Sequence, residues 1–366
     1  MSSQYETGYA FTTSAAQWSQ QAYVKAVNND VDDQLGYANV SIDGDTLAVG
    51  AHLEDSNQTT ITNGTTASSN NSNSKSGAVY VYKRTGTSWA QEAYIKAENN
   101  DAGDVFGYYA VSLSGDTLAV GAVYEDSNQT TITNGTTASS NDSSSQAGAV
   151  YVYKRTGTSW AQEAYIKAAN TNTTDRFGSF VALYGDTLAV VAHYEDSNQT
   201  TITNGTTASS NNSSSNSGAV YVYKRTGTSW AQEAYIKAVN NDASDTFGWS
   251  VALSGNTLAV GTPAESSNQT TITNGSTASN DDNSSKSGAV YVYKRTGTSW
   301  AQDAYVKAAN NDATDYFSWG LALDNGTLAV SAHYESSNQA TITNGTTASS
   351  NNSSSKSGAV YVYVLQ

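Results

Sequence analysis

The sequence predicts an all-β fold in which one small sheet is repeated around an axis, and three observations carry that prediction. The first is self-similarity. The segment Ser-Trp-Ala-Gln-Glu-Ala-Tyr-Ile-Lys-Ala stands unchanged at Ser88–Ala97, Ser159–Ala168 and Ser229–Ala238, with variants at Ser299–Ala308 and Gln17–Ala26. Its tryptophans, Trp18, Trp89, Trp160, Trp230 and Trp300, are spaced 71, 71, 70 and 70 residues apart, a fixed period of the kind that marks repeat architectures. The second is strand patterning without any useful helical period. The third is the relation of the two ends. The fifth repeat reaches its third strand at Gly358–Tyr363, and the fourth strand it lacks has its counterpart at Gln17–Ala26. Pairing the two closes a ring, because an open row of sheets would leave bare edges and bare apolar faces. The expectation is a five-bladed β-propeller of four-stranded antiparallel blades, closed by its N-terminal strand.

Each element follows from local composition. In the second repeat the strands are expected at Phe106–Leu113, Thr117–Ala122, Gly148–Lys154 and Ser159–Lys167. Ser114-Gly115-Asp116 turns the first pair, and Thr156-Gly157-Thr158 turns the last. The run Gly-Ala-Val-Tyr-Val-Tyr puts valines on one face and rings on the other, so both faces are expected to be buried between blades. The residue lost after the second repeat falls just behind the Phe-Gly pair, where FGYYAVSLSGD becomes FGSFVALYGD. Residues 17–366 are read as one domain. Residues 1–16 are an extension, either a tail or a strand offered to another molecule's edge.

Composition narrows the function. Seventeen basic against 32 acidic residues disfavour nucleic acid, whose phosphates need clustered Lys and Arg. No run of 18 apolar residues occurs, so no membrane insertion is expected. There is no cysteine, hence no disulfide and no thiolate metal site. The N-terminal stretch MSSQYETGYA has neither the basic nor the apolar region of a signal peptide. No nucleophile elbow, zinc-protease motif or phosphate loop is present, and near-identical repeats suit a non-catalytic role, since one active site needs one repeat to differ.

Candidate site residues lie in two connections of each repeat. An aspartate stands two residues before the Phe-Gly position in all five, as Asp33, Asp104, Asp175, Asp245 and Asp315. A glutamate opens the connection after the second strand, as Glu54, Glu125, Glu195, Glu265 and Glu335. Two readings stay open: the pair begins an oxygen shell for calcium, or the aspartate caps a turn and the glutamate is solvated. His52, His193 and His333 occupy one position in repeats one, three and five, where Val123 and Pro263 stand in the others; without partners at fixed spacing they read as tolerated variation. A long Asn/Ser/Thr-rich insertion in each repeat carries Asn-Gly, at Asn63-Gly64, Asn134-Gly135, Asn204-Gly205, Asn274-Gly275 and Asn344-Gly345. Such dipeptides signal tight hairpins, expected to project as a polar crown that contacts carbohydrate, an extracellular protein or further copies of the chain.

The motif Phe-Gly followed by Val-Ala-Leu-Ser-Gly-Asp-Thr-Leu-Ala-Val-Gly-Ala and Gly-Ala-Val-Tyr-Val-Tyr, with Phe-Gly at Phe106-Gly107, Phe177-Gly178 and Phe247-Gly248, resembles bacterial FG-GAP repeats, which are similar to the blades of the integrin α-subunit head. The first repeat departs as Leu35-Gly36, the fifth as Phe317-Ser318, and the Asp-x-Asp-x-Asp-Gly calcium loop of many members is absent. The resemblance implies a propeller, an extracellular or cell-surface location and a role in recognition or adhesion. The alternative is a structural subunit that self-assembles through its insertions or N-terminal strand.

Overall fold

The computed structural model describes residues 18–37 and 40–365. Among them there is no helix, and the strands form five antiparallel sheets in sequence. The first sheet sets the pattern: β1 (Val40–Asp43), β2 (Thr46–Ala51), β3 (Thr62–Asn63), β4 (Ala78–Thr85) and β5 (Ser88–Ile95), hydrogen-bonded in the order β1-β2-β4-β5-β3. Sheets two, three and four repeat that order, and sheet five has three described strands, Phe317–Asp324, Thr327–Ala332 and Ala359–Val364. In sheet two the expected Thr117–Ala122 is observed as such, and the last two strands run Ala149–Thr156 and Ser159–Ile166. The first strand starts late, at Val111, after a reversal in which Gly107 takes φ +80° and Tyr108 turns back to bond Val105. In sheet three the same element is continuous over Phe177–Tyr184, with a register shift after Phe177.

The Val/Tyr alternation does what the pleat requires. Tyr151 and Tyr153 face the first sheet, packing with Val79, Val81, Ile95 and Phe106, whereas Val150 and Val152 face the third sheet, packing with Phe177, Leu188 and Tyr221. Phe106 meets Tyr151 edge-on at 5.4 Å and Tyr153 at 6.2 Å, the geometry aromatic quadrupoles favour. Glycine is needed where the sheets come closest: a Cβ on Gly121 would lie 2.1 Å from the carbonyl oxygen of Gly178 in the next sheet. The first strands of successive sheets lie side by side, tied by bonds such as Leu183 N to Ser112 Oγ at 3.0 Å. They form the inner edge of the stack, and the β3-type strands form its outer edge.

One expectation is corrected, and a second pairing is not observed. The insertions do not project as hairpins. Ile132–Asn134 pairs with the fourth strand as a fifth, outer strand, Asn134 opposite Ala164, and β3 does the same with β5. Those three residues of the insertion thereby add a short strand to the open edge of the sheet. The asparagine of the turn then reaches the next sheet. Trp230 N donates to Asn134 Oδ1 at 2.7 Å and Asn134 Nδ2 donates to Trp230 O at 3.2 Å. Asn63 grips Trp160 and Asn204 grips Trp300 in the same way. Asn344-Gly345 lies outside any strand.

The seam is the second difference. The expected pairing of Gln17–Ala26 with Gly358–Tyr363 is not formed among the described residues: Ala359–Val364 pairs with Thr327–Ala332 alone, and residues 18–26 carry no strand. Val360 and Val362 are 67% and 66% exposed, where Val150 and Val152 are fully buried. The N-terminal segment instead lies on the first sheet. Trp89 Nε1 donates to Gln21, and the Tyr82 and Tyr80 hydroxyls donate to Lys25 O and Asn28 Oδ1. Those contacts reproduce Trp160 to Glu92, Tyr153 to Lys96 O and Tyr151 to Asn99. The segment thus sits on sheet one where a preceding sheet's fourth strand would sit. The extension 1–16 lies outside the described residues.

Candidate functional site

The inner edge carries the feature that sequence reasoning missed. Directly after each Phe-Gly position the repeats stop being alike: Tyr37 in the first, Tyr108-Tyr109 in the second, Phe180 in the third, Trp249 in the fourth and Trp319 in the fifth. The backbone reversal there turns these side chains onto one surface, where they form a continuous aromatic track. Ring centroids are 5.7 Å apart for Tyr109–Phe180, 6.1 Å for Phe180–Trp249 and 4.8 Å for Trp249–Trp319. Tyr37 and Tyr108 extend it at 6.1 Å. The track walls a groove of about 550 Å³ whose floor includes Val181, Val251 and Leu321, within the range of small-ligand sites. One signal was available: five of the seven tryptophans mark the repeat, and Trp249 and Trp319 are the two that do not.

The three histidines join this surface. His52 stacks on Tyr108 at 4.3 Å, His193 lies 5.8 Å from Trp249, and His333 is 4.3 Å from Trp319. Burial holds the His52 imidazole down to about 4, and burial together with the Arg176 charge holds His193 down to about 3, so both rings are neutral across the physiological range. The Nδ1 atoms of His193 and His333 are buried with no hydrogen-bond partner. Arg176 lines the same groove, its guanidinium 4.5 Å from the Tyr194 ring and 5.2 Å from Tyr124. The site therefore offers flat apolar faces, neutral ring nitrogens and one cation.

The acidic residues lie elsewhere. Glu125 accepts from Lys167 Nζ at 2.6 Å, Tyr165 hydroxyl at 2.7 Å and Asn99 Nδ2 at 3.1 Å, with both charged side chains buried. Glu54, Glu195 and Glu265 pair with Lys96, Lys237 and Lys307 at 2.7 to 2.8 Å. Glu335 accepts from Asn310, and no lysine among the described residues pairs with it. The glutamates are therefore not solvated. The aspartates do accept backbone bonds in their turns, as Asp33 does from Asp30 N and Asp175 from Asn172 N. Burial, reinforced by the neighbouring glutamate, pushes the Asp104, Asp175 and Asp245 carboxyls up to about 8; burial and the Asp312 charge push Asp315 to about 6, and Asp33 is raised chiefly by burial. Structure thus brings each Asp/Glu pair together, but in the first four repeats a lysine ammonium sits where a cation would have to sit. That donor set does not suit calcium, and no group of three or more His, Asp or Glu side chains fit for a metal occurs among the described residues.

No helix among the described residues is long and apolar enough to cross a membrane. In comparison with known proteins, a family model described as FG-GAP repeat matches residues 89–153, 160–223 and 230–293. No curated protein matches the chain significantly.

Proposed function

The chain belongs to the FG-GAP repeat family, and on that premise we propose that it is a non-catalytic recognition module acting outside the cell, with the aromatic groove as its binding site for an extended carbohydrate. The carrying observation is the track from Tyr109 to Trp319. A sugar ring has an apolar C–H face that packs on aromatic planes and a rim of hydroxyls that needs neutral polar partners, one of which is His193 in the groove wall. Several rings in a row favour a chain of sugar units, each held weakly. Titration with oligosaccharides followed by tryptophan fluorescence tests this. Trp249→Ala is expected to weaken binding on the order of tenfold, as loss of a central aromatic anchor does, with little change in melting temperature. Unaltered affinity in that variant removes the reading.

For the scaffold we propose that Gln17–Ala26 is the fourth strand of the fifth sheet, making the five sheets blades of a closed ring. In support, Glu335 stands without the Lys and Tyr that every other such glutamate has, and Lys25 and Tyr23 are exposed. By the β4–β5 register, in which Tyr80 faces Tyr94 and Val81 faces Ala93, Tyr23 would oppose Tyr361 and Ala22 would oppose Val362. The exposed valines of sheet five also favour a second reading, a subunit whose segment fills the slot of another copy. Ala22→Cys with Val362→Cys separates them on a non-reducing gel: a disulfide within one chain supports closure, a ladder of linked chains supports assembly, and no cross-link removes both.

A further inference from the structure

We infer that the groove selects an anionic glycan, with Arg176 receiving its carboxylate or sulfate group. This deepens the carbohydrate reading and rests on it. Arg84, Arg155, Arg225 and Arg295 each hydrogen-bond an Asp or Asn side chain at the hairpin below and stack on a tryptophan. They belong to the scaffold. Arg176 makes neither kind of contact. It lines the groove, lies against Tyr194 and Tyr124, and its Nε is buried without an acceptor.

A buried donor left unmet is unfavourable, and an arriving anion satisfies it. The two tyrosine rings hold the guanidinium plane in place, which suits the paired hydrogen bonds that arginine makes with a carboxylate or sulfate. His193 stands next to it, its own Nδ1 unmet and the residue only 6% exposed. A charged group and an adjacent hydroxyl of one sugar unit would meet both residues.

Uniqueness sharpens the assignment. The positions equivalent to Arg176 are Gln34, Val105, Thr246 and Tyr316, so one sheet alone presents this cation. The chain carries a formal net charge of -15, which repels an anion from most of the surface. An acidic glycan is thus placed in one register, with its charge on Arg176 and its neighbouring units along Phe180, Trp249 and Trp319.

The test is a glycan array carrying carboxylated, sulfated and neutral oligosaccharides, followed by calorimetry with the best acidic binder and its carboxyl-reduced or desulfated form. Wild-type protein is expected to retain acidic members and to bind the acidic form about tenfold tighter or more. Arg176→Thr, which copies the residue of the fourth repeat, is expected to abolish that preference, so that the acidic and neutral forms bind alike. Trp249→Ala should weaken both forms alike. Which acid dominates the array decides between carboxylate and sulfate. Retention of neutral glycans only, or an acidic preference that survives in Arg176→Thr, overturns the inference while the carbohydrate reading stands. No retained glycan at all overturns both. A melting curve for each variant confirms that it is folded.

Discussion

The outer and inner edges of this protein are built by opposite rules. At the outer edge one device is used three times without change: Asn63 grips Trp160, Asn134 grips Trp230 and Asn204 grips Trp300, with the Trp N to Asn Oδ1 distance 2.7 Å each time. The asparagine amide copies a strand neighbour, offering one acceptor and one donor to a backbone that has an open edge. At the inner edge the same repeats supply Tyr109, Phe180, Trp249 and Trp319 within three residues of their Phe-Gly positions. Repetition marks the joints, where each sheet meets its neighbour in the same geometry. Variation marks the surface that meets something not itself repeated.

That contrast can be broken experimentally, and the scaffold should respond more strongly than the groove. The largest effect is expected from Lys167→Ala, which leaves Glu125 buried without its ammonium partner. Removing one member of a buried pair costs about 3–5 kcal/mol, to be read from denaturant unfolding. Next comes Asn134→Ala, which removes both bonds to the Trp230 backbone and should cost about 1–2 kcal/mol without changing ligand affinity. A loss of affinity equal to that of Trp249→Ala would mean that the two edges are not independent.

A pH dependence is expected as well. Asp104, Asp175 and Asp245 hold their protons up to about 8 in the folded chain, against an ordinary value of 3.8. The folded state therefore binds more protons than the unfolded state between those limits, so stability falls as pH rises through that window. Melting temperature is expected to be higher at pH 5 than at pH 8.5, and Asp→Asn at these three positions together should flatten the slope. A melting temperature that climbs over the same range would show that the carboxyls are ionised in the fold.

Much of the fold was legible because it is local. Val-Tyr alternation between glycine turns writes a two-faced strand, and Thr117–Ala122 could be bounded from residue types alone. The insertions were misjudged because Asn-Gly signals a turn wherever it stands, while the fate of its arms depends on a free sheet edge nearby. Ile132–Asn134 found one along Ala164–Ile166. The glutamates were misjudged for a related reason: Glu125 and Lys167 are 42 residues apart, and their pairing exists only once the fourth strand lies beside the connection.

By itself the sequence determined the period, the four main strands of each unit, the buried rings and the absence of any disulfide, since each depends on residue type and short-range spacing. Only the tertiary structure decided which side chains share a surface. Trp249 and Trp319 are 70 residues apart and their rings lie 4.8 Å from one another, a proximity created by stacking sheet on sheet. Arg176 became a candidate ligand group for the same reason, since the rings that hold it, Tyr124 and Tyr194, come from two different repeats.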